Sequence, residues 1–146
     1  MQQPLAGTCL LSEATVQHWK PRTQQIVPAE TFTVFAALTH HTKELQETDI
    51  IWFLDNEASC STMVRGASGE GAVRHIVELT QLKCLQLHVR IWFEWVDTMS
   101  NPSDGLSRLG LACPDFGHFA CELEEPPWHA LQQELAALGL VCDIGV

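Results

Sequence analysis

Three carboxylates, Glu30, Asp55 and Asp104, each fall where an element of structure should begin or end. Asp55 closes the run Asp49-Ile50-Ile51-Trp52-Phe53-Leu54, whose apolar residues follow one another without alternation, as in a strand covered on both faces. In open α/β sheets ligands gather beyond the carboxyl ends of such strands, so an acid just past Leu54 sits where a metal or substrate is held. The plainer alternative is that Asp55 caps a helix starting near Glu57-Ala58-Ser59-Cys60, a role that short polar side chains fill well. Glu30 lies one turn before Val34, on or beside the inward stripe of a helix; its alternative role is to complement the dipole at the helix N-terminus. Asp104 follows Pro102, a residue suited to the first turn of a helix, and it too has capping as its alternative. Three acids brought together from separate elements would repel one another and require cations. Two divalent ions about 3.5–4 Å apart, held by shared carboxylates, activate water and stabilise the leaving oxygen in phosphodiester hydrolysis.

Other residues offer less specific chemistry. Arg65 and Arg74 flank Gly66-Ala67-Ser68-Gly69-Glu70-Gly71, a flexible loop that matches no phosphate-cradling motif. They are candidates for contact with a nucleic-acid backbone, with solvated surface charge as the alternative. The six cysteines lack the regular spacing of a secreted disulfide scaffold, which points to reduced, mostly buried thiols. A zinc site can be drawn through Cys113, His118, Cys121 and His129, although their spacing follows no finger or knuckle pattern.

The elements that must position these side chains are legible as pattern. Gly7 to Leu11 and Thr15 to Lys20 read as the strands of a hairpin turning at Ser12-Glu13-Ala14, ended by Pro21, which has no N–H to donate to a ladder. From Pro28 to about Leu45, the residues Val34, Ala37, Leu38, His41 and Leu45 recur at helical spacing and form one inward stripe. Past Asp55, helices are expected over Glu57 to Val64 and Ala72 to Leu82, followed by an alternating strand from Leu85 to Val96. Beyond Gly110, Cys113 to Gly117 and Glu122 to Pro127 read as acidic, proline-bearing linker. Trp128 to Leu138 then reads as an amphipathic helix with Leu131, Leu135 and Leu138 on one stripe.

The 146-residue length suits a single domain, and a 46% hydrophobic content suits a globular one. The expected organisation is a mixed α/β domain over 1–110 followed by a linker and C-terminal helix over 111–146. A formal net charge of −10, from 8 Lys+Arg against 18 Asp+Glu, excludes a protein that grips nucleic acid by its overall field and leaves only local contacts. No apolar run approaches the roughly 20 residues that cross a bilayer, and Met1-Gln2-Gln3-Pro4 lacks the basic start of a signal peptide. The expectation is an intracellular protein, cytoplasmic or nuclear, with no membrane partner.

Three blocks taken in order, Gln24-Gln25-Ile26-Val27-Pro28-Ala29-Glu30, Trp52-Phe53-Leu54-Asp55-Asn56-Glu57-Ala58, and Trp92-Phe93-Glu94-Trp95-Val96 leading to Asn101-Pro102-Ser103-Asp104-Gly105-Leu106-Ser107-Arg108, resemble the ribonuclease H domain attached to reverse transcriptases of retrotransposons. The resemblance covers roughly residues 7 to 110, and it is the ordered set that carries it. It implies a ribonuclease H-like fold, a mixed sheet with flanking helices, and cleavage of the RNA strand of an RNA–DNA hybrid with two magnesium (or manganese) ions and four acids. Glu30 matches the family's helix Glu, Asp55 the Asp at the end of its fourth strand, and Asp104 the Asp at the start of its last helix. Arg65, Arg74 and Arg108 are the candidates for backbone contact. The implied partners are the hybrid, or another nucleic acid, and an upstream reverse transcriptase domain of the same polyprotein.

The family's first acid stands on a central strand just before a hairpin, and this chain begins too late to contain it. No Asp precedes Glu13, which sits in the expected hairpin turn and is a poor substitute. The sheet would then lack its middle strand, between the strand at Gly7 and the one ending at Asp55. Three accounts of the gap stand open: a fragment of a longer polyprotein, a decayed and inactive domain, or a patch of the sheet by residues 1–6. The expectation is a ribonuclease H-like domain, incomplete or inactive as it stands, with a non-catalytic connector or protein-interaction module as the alternative.

Overall fold

A short strand, β1 (Ala6–Cys9), opens the described chain. Helix α1 (Glu13–His18) follows, where a second hairpin strand is expected. Ser12 decides this difference: its hydroxyl accepts the Thr15 N–H at 3.3 Å, satisfying one of the donors that a helix start leaves free. That local bond outweighs the strand preference of Thr15 and Val16. The computed structural model describes residues 5–19, 26–69, 71–115 and 120–126, with helical residues at 130, 133, 136 and 137. Most of the helix expected over 128–138 therefore lies outside the described residues, as do His118 and His129.

Helix α2 (Ile26–His40) is buried on two sides, where one inward stripe is expected. Val34 and Leu38 face one core cluster with Leu54, Met63, Val73 and Val77. Phe32, Phe35 and Ala36 face a second with Trp19, Ile76 and Leu79. A helix apolar around most of its girth is held inside the molecule by packing on both sides. In the second cluster Trp19 meets Phe32 edge-on at 6.1 Å between ring centroids, a favoured aromatic geometry. The helical stretch then breaks at His41 and resumes as α3 (Thr42–Leu45).

Strand β2 (Asp49–Leu54) has the expected bounds, but it is covered on one face only. Ile50, Trp52 and Leu54 turn toward the first core cluster, whereas Ile51 and Phe53 are 66% and 57% exposed. The chain crosses through α4 (Glu57–Arg65) and α5 (Gly71–Leu87) to β3 (Arg90–Trp95), which pairs parallel to β2 from Asp49↔Arg90 to Leu54↔Trp95. The alternation that suggests a strand from Leu85 belongs in part to α5, which runs to Leu87. Buried Val73, Val77 and Leu87 keep to helical spacing along it, and the strand starts only after His88 turns the chain at φ 55.

Two 3-10 turns, Thr98–Ser100 and Gly110–Ala112, bracket α6 (Asp104–Leu109). Gly105 lets this helix lie against buried Cys113, since a Cβ at Gly105 would stand 2.8 Å from the Cys113 sulfur. The stretch read as linker contributes β4 (Ala120–Leu123), which pairs parallel to β1. A Cβ at Gly7 would stand 2.6 Å from Leu123 Cδ1, so glycine permits the close approach of these two strands. The Glu125 carboxylate accepts from the Ser12 N–H at 3.0 Å and from the Thr15 hydroxyl, tying the end of β4 to the start of α1. The fold is thus mixed α/β, and the described residues form two two-stranded parallel sheets, β1–β4 and β2–β3, where one larger mixed sheet is expected. No described helix is long and apolar enough to cross a membrane.

Candidate functional site

Asp55 is the first residue past β2, and Asn56 takes the capping role that was open to it. The Asn56 side-chain oxygen accepts from the Ser59 N–H at 2.9 Å and the Ser59 hydroxyl at 3.1 Å. Asp55 is left free of that duty at the carboxyl end of the strand. Its main-chain oxygen accepts the Trp95 indole N–H at 3.3 Å, and its Oδ2 accepts the Asn101 amide at 3.0 Å. The parallel register sets Trp95 beside Leu54. The turn after β3 then brings Asn101 back across the end of the sheet.

Glu30 comes to the same place from α2. It is the fifth residue of that helix, beyond the first turn, so the dipole alternative loses most of its force. Pro28 precedes it where a missing N–H costs nothing, because the first helical N–H groups have no partner within the helix. Burial pushes the Glu30 carboxyl above the ordinary range. The Asp55 charge, a hydrogen bond with Asp55 and the Asp104 charge add to the rise, in that order. Glu30 and Asp55 are therefore in direct contact, and Asp104 is felt across a longer gap.

Asp104 is the first residue of α6, and the Arg108 guanidinium holds it one turn along, with Nε 3.1 Å from each carboxylate oxygen. The three acids expected from sequence thus share one end of the molecule, two of them touching and the third engaged by its own arginine. Arg108 is the only one of the three candidate arginines joined to an acid of this group among the described residues. Arg65 is exposed in the last turn of α4, roughly 12 Å along the helix from Asp55. Arg74 pairs with Glu78 at 3.6 Å on α5.

The donor set suits a hard cation: carboxylate oxygens, half-buried, crowded enough to disfavour the charge on Glu30. In the arrangement seen, no group of three or more His, Cys, Asp or Glu among the described residues is placed to hold a metal ion. The Asp104 carboxylate is turned to Arg108, 3.1 Å away. Glu30 and Asp55 would contribute the inner pair, with Asp104 joining when Arg108 lets go. Of the residues drawn into a zinc site, Cys113 is buried under α6 and Cys121 is exposed on β4.

Asn101 is the functional candidate that sequence reasoning left without a role, although it stood within one of the quoted blocks. Asn-Pro-Ser is a turn signal, and an Asn that folds onto its own turn has an amide left to donate elsewhere. Comparison with protein-family models, with curated proteins and with solved structures finds no match to this chain.

Proposed function

We propose that this chain is a ribonuclease H-like domain of a retroelement reverse transcriptase, built for divalent-cation-dependent hydrolysis of the RNA strand of RNA–DNA hybrids. The observation that carries the reading is the meeting of Glu30, Asp55 and Asp104, read by Glu30 as raised proton affinity. A magnesium or manganese ion bound there would polarise a phosphodiester oxygen and lower the pKa of a bound water. Glu30 and Asp55 would hold it, while Asp104 exchanges its bond to Arg108 for the ion. The released Arg108 guanidinium would then be free for a phosphate oxygen, which its planar fork suits. Three carboxylates hold one such ion more readily than two, so the reading makes these residues alone an incomplete catalyst. Full hydrolysis calls for a further carboxylate beside Asp55.

The test is a labelled RNA–DNA hybrid incubated with Mg²⁺ or Mn²⁺, alongside thermal melts with and without metal. A cation that binds only the folded protein raises its melting temperature. Millimolar metal is expected to raise it for the wild type and not for Asp55→Asn. The absence of a wild-type shift would refute the cation site, and wild-type cleavage that Asp55→Asn retains in full would refute catalysis at Asp55.

A second reading, a non-catalytic interaction module, draws on a different observation. The face of β2–β3 turned away from the core exposes Ile51, Phe53 and Trp92, the last 67% exposed. It borders an open cleft of about 550 Å³ between α4, α5 and β3, walled by Met63, Cys84 and Trp92. Contiguous apolar surface of this kind marks protein contact sites. A wild type whose melting temperature ignores Mg²⁺ but which captures a reverse transcriptase domain, with capture lost in a folded Phe53→Lys variant, would favour this reading.

A further inference from the structure

We infer that Asn101 is the positioning residue of the acid cluster: it fixes which oxygen of Asp55 is offered to a cation. The inference rests on reading the three acids as a divalent-cation site and names how that site is held ready.

The orientation of the Asn101 amide is settled by its other contacts. Its Oδ1 receives the Ser103 main-chain N–H at 3.0 Å and the Ser103 hydroxyl at 2.8 Å. A main-chain N–H can only donate, so the atom facing it must be the amide oxygen. The NH₂ group is thereby turned to Asp55, where it donates to Oδ2 at 3.0 Å. This bond holds one oxygen of Asp55 and so fixes the rotation of the carboxylate, and with it the direction in which the other oxygen points. The Asn101 main-chain oxygen meanwhile accepts the Asp104 N–H at 3.2 Å. One residue therefore ties the end of β2, which carries Asp55, to the first residue of α6, which carries Asp104.

The turn that holds Asn101 is itself pinned. Asp97 caps the 3-10 turn through a bond from the Ser100 N–H to its Oδ1 at 3.0 Å, and the Asn101 N–H donates to the Thr98 carbonyl at 3.2 Å. A side chain anchored at both ends loses little freedom when the site binds an ion. Partners that orient metal-ligating carboxylates in this way are worth roughly 10–100-fold in metal affinity when removed.

Two substitutions separate this role from simple support of the turn. In Asn101→Ser the hydroxyl can still accept the Ser103 N–H, because serine closes the same local turn as asparagine, but it is too short to reach Asp55. Asn101→Ala loses both functions. Mn²⁺ titrations of the full chain followed by electron paramagnetic resonance, with the metal-free melting temperature as fold control, give the readout. The expected result is weakening of Mn²⁺ binding by roughly 10–100-fold in both variants, with Asn101→Ser melting like the wild type in EDTA. Asn101→Ser binding Mn²⁺ as the wild type does would overturn the inference, even if Asn101→Ala fails to fold. Wild-type protein that takes up no Mn²⁺ would remove the cation site itself, and the inference with it.

Discussion

Replacing Glu30 by Gln should make the metal-free protein more stable at neutral pH. Glu30 is half-buried in contact with Asp55 and within the field of Asp104, and burial is the first cause of its raised proton affinity. Two like charges at about 4 Å cost about 1 kcal/mol in water and about 4 kcal/mol at an effective dielectric of 20. Solvent reaches this cluster, so the lower figure is the better guide, and removing one charge should gain about 1 kcal/mol. For a chain of this size that corresponds to a rise of roughly 3–4 °C in melting temperature. The pH dependence follows from the direction of the shift. Because the folded Glu30 holds its proton to a higher pH than the unfolded one, both states are protonated below the unfolded value of about 4.3, and the substitution changes little there. As pH rises through the window between the unfolded and folded values, the wild type loses stability that Glu30→Gln keeps. Circular dichroism melts in EDTA at pH 4 and pH 7 measure both limits. A variant less stable than wild type at pH 7, or a gain of the same size at pH 4, would refute the claim that the three acids crowd one another.

Other perturbations have equally definite outcomes. Arg108→Ala should leave the melting temperature within about 2 °C, because an exposed i,i+4 ion pair contributes about 0.3–0.5 kcal/mol. It should also tighten Mn²⁺ binding severalfold by freeing Asp104, and calorimetric titration reads the change. Leu38→Ala should cost about 2–5 kcal/mol in urea unfolding, since Leu38 is fully buried between α2 and the first core cluster and leaves a cavity. Alkylation at pH 7 should spare Cys84, whose thiol is pushed up to about 11 by burial, and among the described cysteines label exposed Cys121 first; mass spectrometry of the labelled peptides checks the order.

The parts of this molecule that were legible in the sequence are those decided locally. The run from Asp49 to Leu54 became a strand with the bounds its composition implies. The helical spacing of Val34, Ala37 and Leu38 became α2, although it could not reveal that Phe32 and Phe35 would be buried on the opposite side. That second burial depends on Trp19 arriving from α1, a non-local event. The short helix at Glu13–His18 was legible in principle from Ser12, but two β-branched neighbours pulled the reading toward a strand. Strand β4 is four residues long and owes its existence to β1, more than a hundred positions earlier, so no window of sequence around Ala120 could disclose it. At the site, element ends drew attention to Glu30, Asp55 and Asp104 but left a capping or dipole role open for each; that the three lie within reach of one another is a fact of the folded chain. Element ends were not enough to find the Asn101 bond or the hold of Arg108 on Asp104, which require the turn after β3 in three dimensions.

Among the described residues β3 pairs with β2 alone, and this leaves a readable trace in deuterium exchange. The Arg90 N–H donates to the Thr48 carbonyl at 3.1 Å and the Val96 N–H to the Leu54 carbonyl at 3.0 Å. By the two-residue period of a strand, the amides of Trp92 and Glu94 point the same way, and those of Ile91, Phe93 and Trp95 point outward. Even-numbered amides of β3 should therefore exchange slowly and odd-numbered ones quickly, a sawtooth along six residues. Any chain that came to lie along the outer margin of β3 would slow the fast members and flatten the sawtooth, so exchange on this one strand doubles as a detector of company.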